Sequence, residues 1–265
     1  MLIHENIMMR AHLEIVDEYR ELAEEFGIGI ELGDFCNVEI LADREEYDRR
    51  QRIWKEILPI IGLKRTLHGP FRGLVPHSTN SSLRRSSREL IIQGLETAED
   101  LGCSTVVVHS AVDEKNDGPE ELKRMTDDFL PFLESLLDRF EPSIVLENIH
   151  DRDTRFLKGI ADQLNHPRLG FCMDVGHMSA FGEISFAEWY ETFAGRILHN
   201  HWHDNDGSRD AHRAVGSGSI SWQEITGLRE KFAPQSSVAL EIASGEAIRR
   251  SLKTLDRFIT TPVNN

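Results

Sequence analysis

The densest run of side chains able to do chemistry lies between His199 and Trp222. His199, His201 and His203 recur at every second residue, so a strand over Arg196–His203 turns all three imidazoles to one face. Asp204 and Asp206 follow at once, then a turn at Gly207, then Asp210 and His212 in a polar loop. Imidazole nitrogens and carboxylate oxygens gathered at a strand end suit a Zn2+- or Mn2+-type ion. The plainer alternative is a solvated loop that happens to be rich in histidine. Other segments decide between the two.

Five more apolar runs end in an ionisable residue: His68, His109, Glu147, Asp174 and Glu241. One of them alone, such as His109 after three valines, reads as a satisfied core histidine. Together with His203 they read as a site, because an unpaired buried charge is costly and a mixed set of acids and imidazoles suits cations. His177, Asp210 and His212 lie just beyond strand ends and bring the candidate ligands to nine. A tetrahedral ion takes about four, so two or three ions are the natural accounting, with Glu147 as a bridge.

Those residues must be delivered by a regular scaffold. Strands are expected within Met1–Met8 and over Ile28–Phe35, Lys64–His68, Ser104–His109, Pro142–Glu147, Leu169–Asp174, Arg196–His203 and Val238–Glu241. Helices are expected over Arg10–Phe26 with Gly27 as its stop, Tyr47–Ile61 ending at Gly62, and Leu90–Leu101. Further helices are expected over Glu120–Phe140, Thr154–Leu164, Ser185–Phe193 and Glu246–Phe258, with Thr260–Asn265 fraying. Ser185–Glu188 and Ser221–Glu224 have capping-box spacing. Such alternation describes a parallel sheet with crossover helices. At 265 residues, about eight units favour one (β/α)8 TIM barrel, an α/β fold, over an open doubly wound sheet. No GxGxxG follows the first strand. No linker divides the chain, so residues 1–265 are read as a single domain.

Composition narrows the partners. A net charge of −15 argues against a broadly basic nucleic-acid face. Cys36, Cys103 and Cys172 are widely spaced in apolar settings and read as small buried hydrophobes in a reducing compartment. No apolar run approaches a membrane span and the N-terminus lacks a signal-peptide layout, so a cytoplasmic location is expected.

The ordered set LHGPF (67–71), VVHS (107–110), LENIHDR (146–152), CMDVGHMSAFG (172–182), HDND (203–206), DAH with RAVGSG (210–218) and LEIA (240–243) resembles the xylose isomerase-like TIM-barrel superfamily. That group includes endonuclease IV, of AP endonuclease family 2, and sugar-phosphate isomerases and epimerases. The endonuclease IV resemblance implies three zinc ions. One would lie on His68, His109 and a bridging Glu147, a second on Glu147, Asp174, His203 and Glu241, and a third on His177, Asp210 and His212. The isomerase branch implies one Mn-type ion on Glu147, Asp174, His203 and Glu241. There Glu147 and Glu241 are acid and base, while His177 and His201 contact substrate. Two stretches depart from endonuclease IV: Asn205-Asp206-Gly207 stands where that family has an NDS-type sequence, and HDRDTR (150–155) where it has a Gly-rich loop.

Two reactions follow. Clustered divalent ions can activate water for phosphoester hydrolysis, which accounts for all nine ligands. A single ion with Glu147 and Glu241 moving a proton on carbon would serve a sugar or sugar-phosphate isomerase or epimerase. A non-catalytic metal-binding sensor needs no further residue. The expected partner is a small phosphorylated or sugar substrate; nucleic acid is disfavoured by charge, and no membrane is involved. Arg84 and Arg85, with Arg88, are candidate phosphate contacts, their plainer role being a solvated helix start. Gly216 and Gly218 are expected in turns, Trp202 and Trp222 as packing residues, and His4, His12, His77, His150 and His166 at the surface or in the core.

Overall fold

Short apolar strands joined by amphipathic helices have two faces to bury, one under the helices and one against other strands. In the computed structural model, which describes residues 6–61, 64–113 and 115–259, the sheet solves this by closing on itself. Each of eight parallel strands pairs with its neighbour in sequence, and β8 returns to β1. The chain is a (β/α)8 TIM barrel.

The order is β1 (Ile7–Ala11), α1 (Val16–Phe26), β2 (Gly29–Leu32), α2 (Val38–Ala42), α3 (Arg44–Ile61) and β3 (Arg65–His68). Then come α4 (Ser81–Asp100), β4 (Thr105–His109), α5 (Pro119–Arg139), β5 (Ser143–Glu147), α6 (Arg155–Gln163) and β6 (Leu169–Asp174). The last third holds α7 (Val175–Phe181), α8 (Phe186–Thr192), β7 (Ile197–Trp202), α9 (Trp222–Phe232), β8 (Ser237–Leu240) and α10 (Gly245–Ile259).

Strand alternation sorts the core. In β4, Val106 and Val108 join the large apolar layer beneath the helices, whereas Val107 points into the barrel. There it meets Val145, Cys172 and Leu198, an apolar floor. Above that floor the interior turns polar, and every candidate strand-end ligand lies on this upper side.

Several boundaries differ from those the sequence suggests. Arg10 and Ala11 belong to β1, so the helix expected from Arg10 begins only at Val16, after a short 3-10 turn at Leu13–Ile15. Much of the strand expected within Met1–Met8, the stop at Gly62 and the tail from Thr260 lie outside the described residues. Helix α4 starts at Ser81 instead of Leu90 because Asn80 caps it, accepting from the amides of Ser82 and Leu83. The short helices α2 and α7 were not expected. The capping box at Ser185 forms, while Ser221 makes no side-chain cap. Instead Trp222 anchors the start of α9 by donating its Nε1–H to Asp204 at 2.8 Å. All three cysteines are buried and free. Among the described residues no helix is long and apolar enough to cross a membrane.

Candidate metal centre

Parallel register sets the heights of the ligands. Glu147 is level with His109 on one side and Cys172 on the other, and Asp174 is level with His201. The strand ends therefore form a ring instead of a scatter.

Three groups of ligand atoms result. In the first, His109 Nε2 lies 3.2 Å and His68 Nε2 3.6 Å from Glu147 Oε2, with the two nitrogens 3.5 Å apart. In the second, His201 Nδ1 lies 2.9 Å from Glu147 Oε1 and 3.7 Å from both Asp174 Oδ2 and Glu241 Oε2. The third joins His177, His203, Asp210 and His212, whose ligand atoms all fall within 4.8 Å of one another. All nine sequence candidates take part in these contacts.

His201 and His203 take different depths. His201, expected at the substrate, is fully buried among the carboxylates of Glu147, Asp174 and Glu241. His203 lies one residue beyond β7 and so one tier higher, 3.1 Å from Asp174 Oδ1 and 3.6 Å from Asp210 Oδ1. It links the inner carboxylates to the outer group.

Three imidazoles are oriented alike. His68 Nδ1 donates to the carbonyl of Gly69 at 2.9 Å, His177 Nδ1 to that of Asn148 at 2.9 Å, and His212 Nδ1 to that of Glu241 at 2.8 Å. A carbonyl only accepts, so each Nδ1 carries its proton and each ring turns Nε2 inward, as a lone pair in neutral His68 and as an N–H facing Asp210 in His177 and His212. Metal-binding histidines are held this way. Glu147 Oε2, His203 Nδ1 and Asp210 Oδ1 are buried and lack hydrogen-bond partners among the described residues. Unsatisfied acceptors beside imidazole nitrogens suit divalent cations.

The electrostatics agree. Burial would push the His177 imidazole down, yet Asp174, Asp210 and Glu147 outweigh it and raise it to about 10. His212 is likewise penalised by burial, but Asp210 and Glu241 lift it to about 9. Burial disfavours the charged form of Glu147, while His201 and His109 hold it well below the usual carboxylate range. Burial, aided by Arg10, depresses His68 to about 4, which leaves it neutral and available as a ligand. Protons on imidazoles stand where added cations would compete for the same carboxylates.

Supporting residues include several the sequence reading missed. Arg10, at the end of β1, donates to Glu241 Oε1 at 2.8 Å. Asn148 clamps Asp174 from both sides, accepting from its amide at 2.9 Å and donating to its carbonyl at 3.1 Å. Glu31, the one charged residue of β2, is fully buried and 2.9 Å from His199 Nε2 and 3.2 Å from His201 Nε2. A lone glutamate inside an apolar strand was the signal available for it. Gly176 is required sterically, since a Cβ there would overlap the His203 ring.

Asp204 and Asp206 shape the loop instead of joining the cluster. The buried Asp204 carboxylate accepts from the amides of Asn205 at 2.9 Å, Gly216 at 2.9 Å and Ile220 at 3.3 Å, as well as from Trp222. Gly216 sits in a left-handed turn (φ 79°), and a Cβ on Gly218 would strike Asp204 and the Asn205 carbonyl. This tie folds the loop back so that Asp210 and His212 reach the mouth. His212 adopts φ 43°, a strained conformation for a residue with a Cβ. Asp206 is exposed and pairs with Arg213 at 2.9 Å.

The cluster opens into a cavity of about 640 Å³, whose walls include Phe71, Arg72, Ile149, His150 and Phe181. Arg84 and Arg85 are not among its lining residues. Arg84 donates to the Ser78 carbonyl at 2.6 Å, and Arg85 pairs along α4 with Glu89 at 4.0 Å. Arg88 is held by Asp128 at 2.7 Å. His77 is a core histidine bonded to the Ser110 carbonyl, whereas His150 lines the cavity.

A profile of the family described as xylose isomerase-like TIM barrel matches residues 12–258. An uncharacterised protein of Methanocaldococcus jannaschii is 25% identical over 197 residues, covering 66% of this chain and 63% of that protein, so the chain spans just under two thirds of it. A probable endonuclease 4 of Mycobacterium leprae is 29% identical over 180 residues, 62% of this chain and 68% of that one. Among solved structures, a D-tagatose 3-epimerase-like protein superposes with a TM-score of 0.79 at 21% identity, covering 96% of this chain and 97% of that one. A protein of Thermus thermophilus, soaked with ZnCl2, gives 0.77 at 21% identity over 96% and 97% of the two chains. IolI protein with a bound zinc atom gives 0.75 at 18% over 97% and 100%.

Proposed function

The chain belongs to the xylose isomerase-like TIM-barrel family, and we propose that it is a divalent-metal-dependent hydrolase of phosphoester bonds in a small substrate. Two or three Zn2+ ions, or Mn2+, would be held by His68, His109, Glu147, Asp174, His177, His203, Asp210, His212 and Glu241. One observation carries this reading: the outer group of His177, His203, Asp210 and His212 comes together beyond the inner carboxylates. The single-ion isomerase arrangement uses His177 and His203 but leaves Asp210 and His212 without a role. A phosphoryl centre needs charge on both the attacking and the leaving side.

Bound ions would supply Lewis-acid polarisation of the phosphoryl oxygens and an activated water. The rest falls to the protein. Glu147 has one oxygen in each inner group and suits a bridge. Arg10 fixes the Glu241 carboxylate and, with His68, His201 and despite burial, favours its ionised form. Asn148 fixes the direction of Asp174. A chain of net charge −15 is poorly matched to a duplex, which supports a small substrate over DNA.

A second reading is favoured by the inner group alone. Glu147, Asp174, His201 and Glu241 form a four-residue set in which two glutamates flank one imidazole. With one ion there, Glu147 and Glu241 are placed as an acid–base pair for sugar isomerisation or epimerisation. Zinc-loaded protein should cleave bis(p-nitrophenyl) phosphate and leave ketoses unaltered when incubated in D2O. Deuterium entering a ketose at carbon, with no phosphoester cleavage, would replace the first reading by the second.

A further inference from the structure

Next to the main cavity lies a second one of about 360 Å³. Arg10, Phe71 and Arg72 line both, so the two share a rim. Three arginines border this space, and they are committed very differently. Arg50 is bound to Asp34 and Glu46, each at 2.7 Å, and to Glu14. Its guanidinium occupies the seat that His12, Glu14 and Asp34 could otherwise offer a metal ion. Arg10 spends its terminal nitrogens on Glu241 at 2.8 Å and Cys36 at 3.2 Å.

Arg72 has no such partner. It is exposed on the loop after β3. Among the described residues its guanidinium makes no ion pair or hydrogen bond, only a contact over the Phe71 ring at 6.0 Å. That ring stacks on His109 at 4.5 Å and meets His68 edge-on at 5.3 Å. The unpaired charge therefore stands one aromatic ring away from two candidate metal ligands. A second donor lies in a residue that lines the same space: Arg10 Nε is buried and has no acceptor among the described residues. It packs tightly over Gly33 beside the His12 ring, so that a Cβ there would come within 3.0 Å of that nitrogen and 2.6 Å of the ring.

We propose that Arg72, with Arg10 Nε–H and His12, forms a subsite for an anionic group at the far end of the substrate. The ligand is a sugar or polyol carrying a phosphate monoester or a carboxylate away from the reacting bond. A guanidinium with all its donors free suits either anion. The inference rests on the proposed site only in assuming that the reacting end lies at the carboxylate–imidazole cluster.

Calorimetric titration of zinc-loaded protein with D-fructose, D-fructose 6-phosphate and D-glucuronate tests it, in wild type, Arg72→Ala and Gly33→Ala. One charge-assisted contact corresponds to about 10-fold or more in affinity. Fructose 6-phosphate, glucuronate or both should bind wild type at least that much better than fructose. The preference should shrink to about 3-fold or less in Arg72→Ala, with zinc content unchanged, and weaken in Gly33→Ala. Which anion shows the effect identifies phosphate or carboxylate. Equal affinity of wild type and Arg72→Ala for both anions would overturn the subsite, since an anion bound at the ions alone does not sense Arg72. So would the absence of any anion preference in wild type. Lack of phosphoester cleavage with the preference intact would reject the proposed reaction and leave the subsite standing.

Discussion

The inner and outer ligands are built in different ways. Glu147, Asp174 and Glu241 end or directly follow barrel strands, with side chains 1%, 0% and 2% exposed. Asp210 and His212 hang from the loop after β7 and are 26% and 34% exposed. Backbone pairing fixes the first set, whereas the second reaches the centre through Asp204, Gly216 and a strained His212. Two different reactions could share the inner ring, so the loop is where this chain can commit to one of them. Ions bound by strand ends should be tight and slow to leave, and an ion bound by the loop weaker and separable.

The sharpest way to break the contrast is Glu147→Gln, which removes a carboxylate from both inner groups. Activity should fall by about 10³-fold or more, with inner-ion binding lost and the far-ultraviolet spectrum unchanged. Retained activity would strike Glu147 from the mechanism. Gly176→Ala comes next, since its methyl must displace the His203 ring that links the two sets. Zinc titration should show weaker binding at the outer group by about 10- to 100-fold. Asp204→Asn should act on the outer group alone, releasing the loop and lowering that affinity by about 10-fold while the inner ions stay. Equal losses at both groups would erase the distinction between them.

The smallest effect concerns stability. Asp151 is buried where the loops after β4 and β5 meet, and accepts from Ser110 and the Ile149 amide. Burial raises its pKa to about 6, above the roughly 3.9 of an unfolded chain. The folded protein therefore holds this proton more tightly. The contribution is fully present below about pH 4 and is lost as pH rises through about 6. Asp151→Asn should flatten that slope and raise stability at pH 7.5 by on the order of 1–2 kcal/mol, read from urea unfolding. An unchanged slope would show that the carboxyl titrates as it does in water.

How far the sequence disclosed this arrangement depends on the part. The barrel was legible because strands such as Thr105–His109 must be buried on both faces and helices such as α5 carry a clear apolar stripe. The strand-end ligands were legible because a charge closing an apolar run needs a reason. Arg10 was hidden because it was counted as the start of a helix, and its role depends on β1 and β8 meeting across the whole chain. That His201 is buried among the carboxylates while His203 stands one tier higher turns on the register of β6 with β7, which no spacing reveals. Phe71 and Arg72 matter only because two cavities share a rim, and that is a property of packing.

Equilibrium zinc titration of wild type against an Asp210→Ala/His212→Ala double variant tests the multi-ion centre most directly. The account predicts two or three ions per chain in wild type, one fewer in the variant, and unchanged affinity for those that remain. A single ion in both proteins, bound equally well, would contradict it.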